Sequence, residues 1–206
     1  MAPPPVYVSG AVEGPSDEPV LRRIVEARGA VVHRVQVQNG KANVRRALPG
    51  YNAAARRDPW LVLVDLDQDY VCPGALVADW LPGPSQHMRF RVVVRQIEAW
   101  LLADRERFAG FFGVTRTAVP LDPDTLVDAK ATVLALVSKS RRSAIRQDMT
   151  PRPDSGRRVG PAYTSRLIDF ATDLQGGWRL EVAAQGSPSL AKCVTRLDEL
   201  VSGGPY

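Results

Sequence analysis

The sequence predicts an α/β fold: a central, mainly parallel sheet with helices on both faces, followed by a helical C-terminal extension. Three observations carry that expectation. Residues 6–12 form a short valine-rich run that breaks off into a tight loop. Residues 60–65, Trp-Leu-Val-Leu-Val-Asp, are apolar at every position before the aspartate, as a strand buried on both faces of a parallel sheet must be. Between and after these runs the apolar residues recur at helical spacing.

Taken in order, the first strand leaves into Glu13, Gly14, Pro15 and Ser16. Ser16 is read as a helix N-cap, with Asp17, Glu18 and Pro19 in the first turn. Val20, Leu21, Ile24 and Val25 then mark the buried face of that helix, and Gly29 stops it. Residues 30–38 alternate as a second strand, Asn39 and Gly40 turn the chain, and residues 41–57 read as a helix interrupted near Pro49 and Gly50. The third strand ends in Asp65, Leu66, Asp67, Gln68 and Asp69. A short helix over 74–80 and a strand over 88–94 complete a β-α-β-α-β-α-β order, which is Rossmann-like. Residues 97–112 continue as one helix and 126–137 form another, containing Lys130. Residues 138–161 read as a basic loop, and 162–201 as two helices flanking Gly176 and Gly177. The expected division is an α/β core over 1–115 and a helical extension over 116–206, packed as parts of the same compact unit.

With 206 residues the chain has the length of one well-buried domain. Hydrophobic residues at 45% and charged residues at 24% are the balance of a globular protein, not of a disordered or fibrous one. Two cysteines, Cys72 and Cys193, lie far apart and without ligand spacing, so neither a disulfide framework nor a zinc site is indicated. No basic leader pattern opens the chain and no apolar run reaches about 18 residues, so a cytoplasmic location without membrane contact is expected. The net charge of +5 suits a polyanionic partner. Six arginines, including Arg141, Arg142, Arg157 and Arg158, crowd one segment apart from the acidic motifs, the arrangement of a phosphate-gripping arm.

In a parallel α/β sheet functional groups gather at the carboxyl ends of the strands. Glu13 closes the first strand and Asp65 the third. The two-residue period of an extended chain places Asp65 and Asp67 on one side, about 6.5 Å apart. Asp17, one helical turn beyond Glu13, can join them. Carboxylates packed this closely repel one another unless a cation lies between them. For an all-oxygen site the natural occupants are Mg2+ or Mn2+, which support phosphodiester cleavage.

The string Val12 to Glu18, Val-Glu-Gly-Pro-Ser-Asp-Glu, together with Val64-Asp65-Leu66-Asp67, resembles the TOPRIM fold, in which a glutamate after the first strand and a DxD after a later one bind metal. The ExxxD form, Glu13 with Asp17, looks most like nucleases of the overcoming-lysogenisation-defect type and their small stand-alone bacterial relatives. Segments similar to Arg95-Gln96-Ile97-Glu98-Ala99-Trp100 and Ser187-Pro188-Ser189-Leu190 recur in those relatives, so the resemblance covers most of the chain. It implies a metal-dependent DNA nuclease or nickase with a role in phage defence or repair. Glu98 would supply a further carboxylate for a second metal, and Lys130 would match a basic residue that stabilises the transition state. The 206 residues contain no ATPase domain of the kind that larger members carry, which leaves open whether an ATPase partner protein is needed.

Two other readings stand beside this one. A phosphatase similar to haloacid dehalogenases would use Asp65 as nucleophile and Asp67 as acid and base, although Asp69 and Tyr70 depart from that motif. A non-catalytic subunit would keep the fold as a nucleic-acid or protein-binding module. His33 and His87 lack partners at ligand spacing and are read as structural. Ser187 and Ser189 precede an apolar helix and are read as its cap.

Overall fold

A computed structural model describes residues 4–203; residues 1–3, part of the stretch read as free of a leader, and 204–206, the end of the predicted extension, lie outside it. The chain runs β1 (Tyr7–Val12), α1 (Asp17–Glu26), β2 (Val31–Val37), α2 (Lys41–Ala54), β3 (Trp60–Asp65), α3 (Pro73–Trp80) and β4 (Met88–Val93). There follow α4 (Ile97–Leu102), α5 (Arg105–Phe112), two 3-10 turns (Arg116–Ala118 and Pro123–Thr125), α6 (Ala129–Val137) and α7 (Ser143–Met149). The last three helices are α8 (Tyr163–Thr172), α9 (Leu180–Gly186) and α10 (Pro188–Ser202).

The four strands form one sheet, parallel throughout, in the order β2-β1-β3-β4. The step from β2 back to β1 and on to β3 is where the strand order reverses, so β1 and β3 end side by side at the switch point of the sheet. Each central strand feeds both layers. Val8, Leu61 and Leu63 point into a large core built with α1 and the helices from α4 onward. Ala11, Trp60, Val62 and Val64 point the other way, into a smaller core under α2 and α3 with Leu48 and Leu76. Gly10, in mid-strand, lets α1 approach: a Cβ there would fall 2.8 Å from both methyl carbons of Leu21.

Several predicted boundaries are corrected. Ser16 sits at the N-cap position of α1 but its hydroxyl makes no capping bond, because it donates to Asp17 instead, at 3.0 Å. Pro49 does not interrupt α2. It lies on the exposed face, where water can take the carbonyl that the proline leaves unbonded. The single helix expected over 97–112 is two, broken at Asp104, whose side chain caps α5 by accepting from the Arg107 amide at 3.3 Å. The predicted loop over 138–161 contains α7, whose Ile145 and Met149, four residues apart, are buried in the main core. The two C-terminal helices are three, because Ser187 ends α9 and caps α10, accepting from the Leu190 amide at 3.2 Å.

The main core draws on β1, β3 and α1 and equally on Val133, Ile145, Phe170 and Leu190 of the C-terminal half. Residues on both sides of position 115 therefore share one buried cluster. Among the described residues no helix is long and apolar enough to cross a membrane.

Candidate functional site

Parallel pairing of β1 with β3 brings Glu13 and Asp65 to the same edge of the sheet. The Asp65 amide donates to Glu13 Oε1 at 2.8 Å, which ties the two strand ends together. Beyond Glu13 the chain turns tightly. Asp17, buried at the start of α1, folds its carboxylate back to accept from the Gly14 amide at 2.8 Å and from the Ser16 hydroxyl. Glu98, only 2% exposed in the first turn of α4, accepts from the Tyr163 hydroxyl at 3.0 Å and lies 3.6 Å from Lys130 Nζ. Glu13, Asp17, Asp65, Glu98 and Lys130 line one concavity of about 290 Å3 at the carboxyl end of the sheet, with Gly14 and Gly40 beside them.

Burial is the first cause of the electrostatics here. It raises the Glu13 carboxyl from 4.5 to about 7 and that of Asp17 from 3.8 to about 6; the Asp65 amide and the Gly14 amide, respectively, pull back in the other direction. Asp65 is held well above the ordinary carboxylate range, by burial and then by the charges of Asp17, Glu98, Glu13 and Asp67. Ionised together, these four acids would outweigh the one ammonium, an excess of negative charge that a cation would offset. The donors are all oxygen, the chemistry that hard divalent ions take. Even so, among the described residues no three His, Cys, Asp or Glu side chains stand together as a group that could hold a metal ion. Glu13, Asp17 and Glu98 are each hydrogen-bonded to a donor of their own.

Asp67 is placed differently from its neighbours. The strand ends at Asp65, so the two-residue period stops there, and Asp67 takes a left-handed conformation with φ at 50°. Its carboxylate faces Lys41 at 3.1 Å and Gln96 at 3.3 Å, outside the lining of the concavity, although its charge still reaches Glu13 and Asp65. Lys41, which sequence reasoning missed, opens α2 and also reaches Asp69 at 2.8 Å. The signal was available: Lys41 follows the turn after β2, at the same end of the sheet. Gln96 joins the two parts, since its Oε1 accepts from the Lys130 amide at 3.0 Å. Tyr163 left no signal, being 65 residues from Glu98 in the chain.

The predicted basic arm does not line this concavity. Arg141 and Arg142 lie beyond the far end of α6 from Lys130, and a nine-residue helix spans about 13 Å. Arg142 donates to the Phe111 carbonyl at 2.8 Å and borders a separate depression with Arg107 and Arg179. Arg157 and Arg158 are exposed on the segment before α8. Ser189 does not serve the site either: its hydroxyl accepts from the Trp100 indole at 2.7 Å, and Asp124 accepts from its amide at 2.8 Å. No family model, curated protein or solved structure matches this chain.

Proposed function

We propose that this protein is a metal-dependent phosphodiesterase acting on DNA, with Glu13, Asp17, Asp65 and Glu98 as the groups that hold Mg2+ or Mn2+. The observation that carries the reading is the meeting of these four carboxyls and Lys130 in one concavity at the switch point of a parallel sheet, reached from four separate stretches of chain. The resemblance of the ExxxD and DxD strings to TOPRIM nucleases supports the same reading. Bound there, the ion would supply Lewis acidity and neutralise charge developing on a phosphoryl group.

The protein's own groups have distinguishable tasks. Lys130, half exposed at the rim, presents an ammonium to a phosphate oxygen while Glu98 steadies it from below. Tyr163 orients Glu98, and the Asp65 amide orients Glu13. Lys41 holds Asp67 and Asp69 at the mouth, where Asp67 adds negative charge without entering the concavity. The exposed Arg157 and Arg158 supply contacts to the nucleic-acid backbone outside the site. The turning of Asp67 away from Asp65 weighs against a phosphatase in which both act on one phosphate.

One observation favours a second reading, a non-catalytic binding subunit that works with an ATPase: the carboxylates as placed do not gather at ligating separation. Cleavage of supercoiled and single-stranded DNA with Mg2+, Mn2+ or EDTA, for the wild type and for Glu13→Gln and Asp65→Asn, separates the two. Metal-dependent cutting that falls at least about a hundredfold in both variants is expected of the enzyme. Wild-type protein that binds neither Mn2+ nor cuts supports the subunit.

A further inference from the structure

β4 is an edge strand, bonded to β3 on one side only. The β3 amides of Trp60 and Leu66 donate to the carbonyls of His87 and Val93, so the odd-numbered residues of β4 face β3 and the even-numbered ones face outward. Among the described residues, no hydrogen bond reaches the outward N–H and C=O groups of Phe90 and Val92. Among the described residues no strand pairs with this edge, which lies between α3 and α10, both packed against β4, with Phe90 and Val92 each 6% exposed. The edge forms the floor of two adjoining depressions of about 690 and 370 Å3, which together run from Met88 to Val94. A six-residue strand is about 20 Å long, so the groove has room for an extended segment of similar length.

The two walls differ in chemistry. On the α3 side stand Val77 and Leu81, with Phe90 and Val92 pointing the same way into the smaller core. On the α10 side, Arg89 and Arg91 are joined by Lys192 and Arg196. Arg89 donates to the Arg196 carbonyl at 2.8 Å, and Arg91 lies beside Cys193. Two carboxylates also border the groove, and both are engaged: Glu199 pairs with Arg196 at 2.8 Å and Asp124 holds Ser187 and Ser189. Four cations against two carboxylates leave that wall basic.

We infer that the β4 edge binds an extended segment of a partner protein by strand addition, and that this segment alternates apolar residues toward α3 with acidic residues toward α10. A row of outward amides and carbonyls at strand spacing is matched by another peptide backbone, and the side-chain period of two then delivers successive residues to opposite walls. A second copy of this chain does not fit. Antiparallel pairing of β4 with itself that keeps most of the strand paired, centred on Arg89, Phe90 or Arg91, sets these arginines against arginines of the second copy on one face, and like charges across a strand pair are destabilising.

The test uses the full chain, isotope-labelled, and a capped hexapeptide alternating valine and glutamate. Saturating peptide is expected to slow hydrogen exchange of the Phe90 and Val92 amides at least about tenfold. N-methylation of a peptide amide that faces β4 is expected to weaken binding about tenfold, while methylation of one that faces away leaves it unchanged. Lys192→Glu combined with Arg196→Glu is expected to shift preference toward a valine and lysine peptide by at least about tenfold. Equal binding of the two methylated peptides overturns the proposal, and this readout leaves the protein's own fold untouched. Unchanged exchange at Phe90 and Val92 with millimolar peptide overturns it, as does protection by a single-stranded oligonucleotide in place of the peptide. Dimerisation through β4 in sedimentation, abolished by peptide-independent charge reversal, overturns it in favour of self-association.

Discussion

Glu13 and Asp17 carry carboxyls whose folded values, about 7 and about 6, lie above their ordinary 4.5 and 3.8. A carboxyl of this kind binds its proton more tightly in the folded state. Its contribution to stability is full below the unfolded value and is lost as pH rises through the folded one. Thermal unfolding in EDTA is therefore expected to show Tm falling between about pH 4 and pH 7, with Glu13→Gln flattening that fall; a Tm that rises across this window would contradict the electrostatics described above. Mn2+ should act in the opposite sense, stabilising more at pH 7 than at pH 5, because ligation requires ionised carboxylates. Tyr163→Phe removes the hydroxyl that orients Glu98 while keeping the buried ring. Mn2+ affinity measured by calorimetry is expected to drop about tenfold, with urea stability changed by only about 1 kcal/mol. A stability loss with unchanged Mn2+ affinity would make Tyr163 structural only.

At the scale of elements, α4 and α5 are separate helices that meet at Asp104. Asp104, wholly buried, caps α5 and receives Arg179 at 2.8 and 2.7 Å, a two-pronged pair that clamps the start of α9 to this corner. Arg179→Ala leaves a buried carboxylate without its counter-charge. Urea unfolding is expected to show a loss of about 3 kcal/mol, most of which Asp104→Asn in the same chain should restore. Failure of the second substitution to restore stability would mean that Arg179 acts through packing. The residues 97–112 looked continuous because every position from Ile97 to Ala103 is buried and apolar or acidic, so periodicity had no exposed face to mark the break. The arginines around α7 masked its short apolar pair in the same way.

Across the whole molecule, the face of the sheet toward α1 is completed by helices that lie after residue 115. A fragment ending there would expose the apolar surface of Leu61, Leu63 and Phe112, which the C-terminal half covers. We expect fragment 1–115 to show no cooperative thermal transition and poor amide dispersion, whereas the full chain melts in one step. A cooperatively folding fragment would separate the two parts as domains.

The sequence by itself determined the parallel sheet, because a strand buried on both faces leaves an uninterrupted apolar run at Trp60 to Val64 and turn residues mark its neighbours. It also determined that Glu13, Asp17 and Asp65 share one end of that sheet, since strand polarity in a β-α-β unit fixes which end each strand leaves from. The tertiary structure alone decided that Tyr163 and Lys130 meet at Glu98, and that Arg142 stands apart from all of them. It decided as well that Asp67 turns to Lys41 once the strand ends. Such pairings depend on how helices far apart in the chain cross the sheet, and a periodicity confined to a few neighbouring residues carries no information about that crossing.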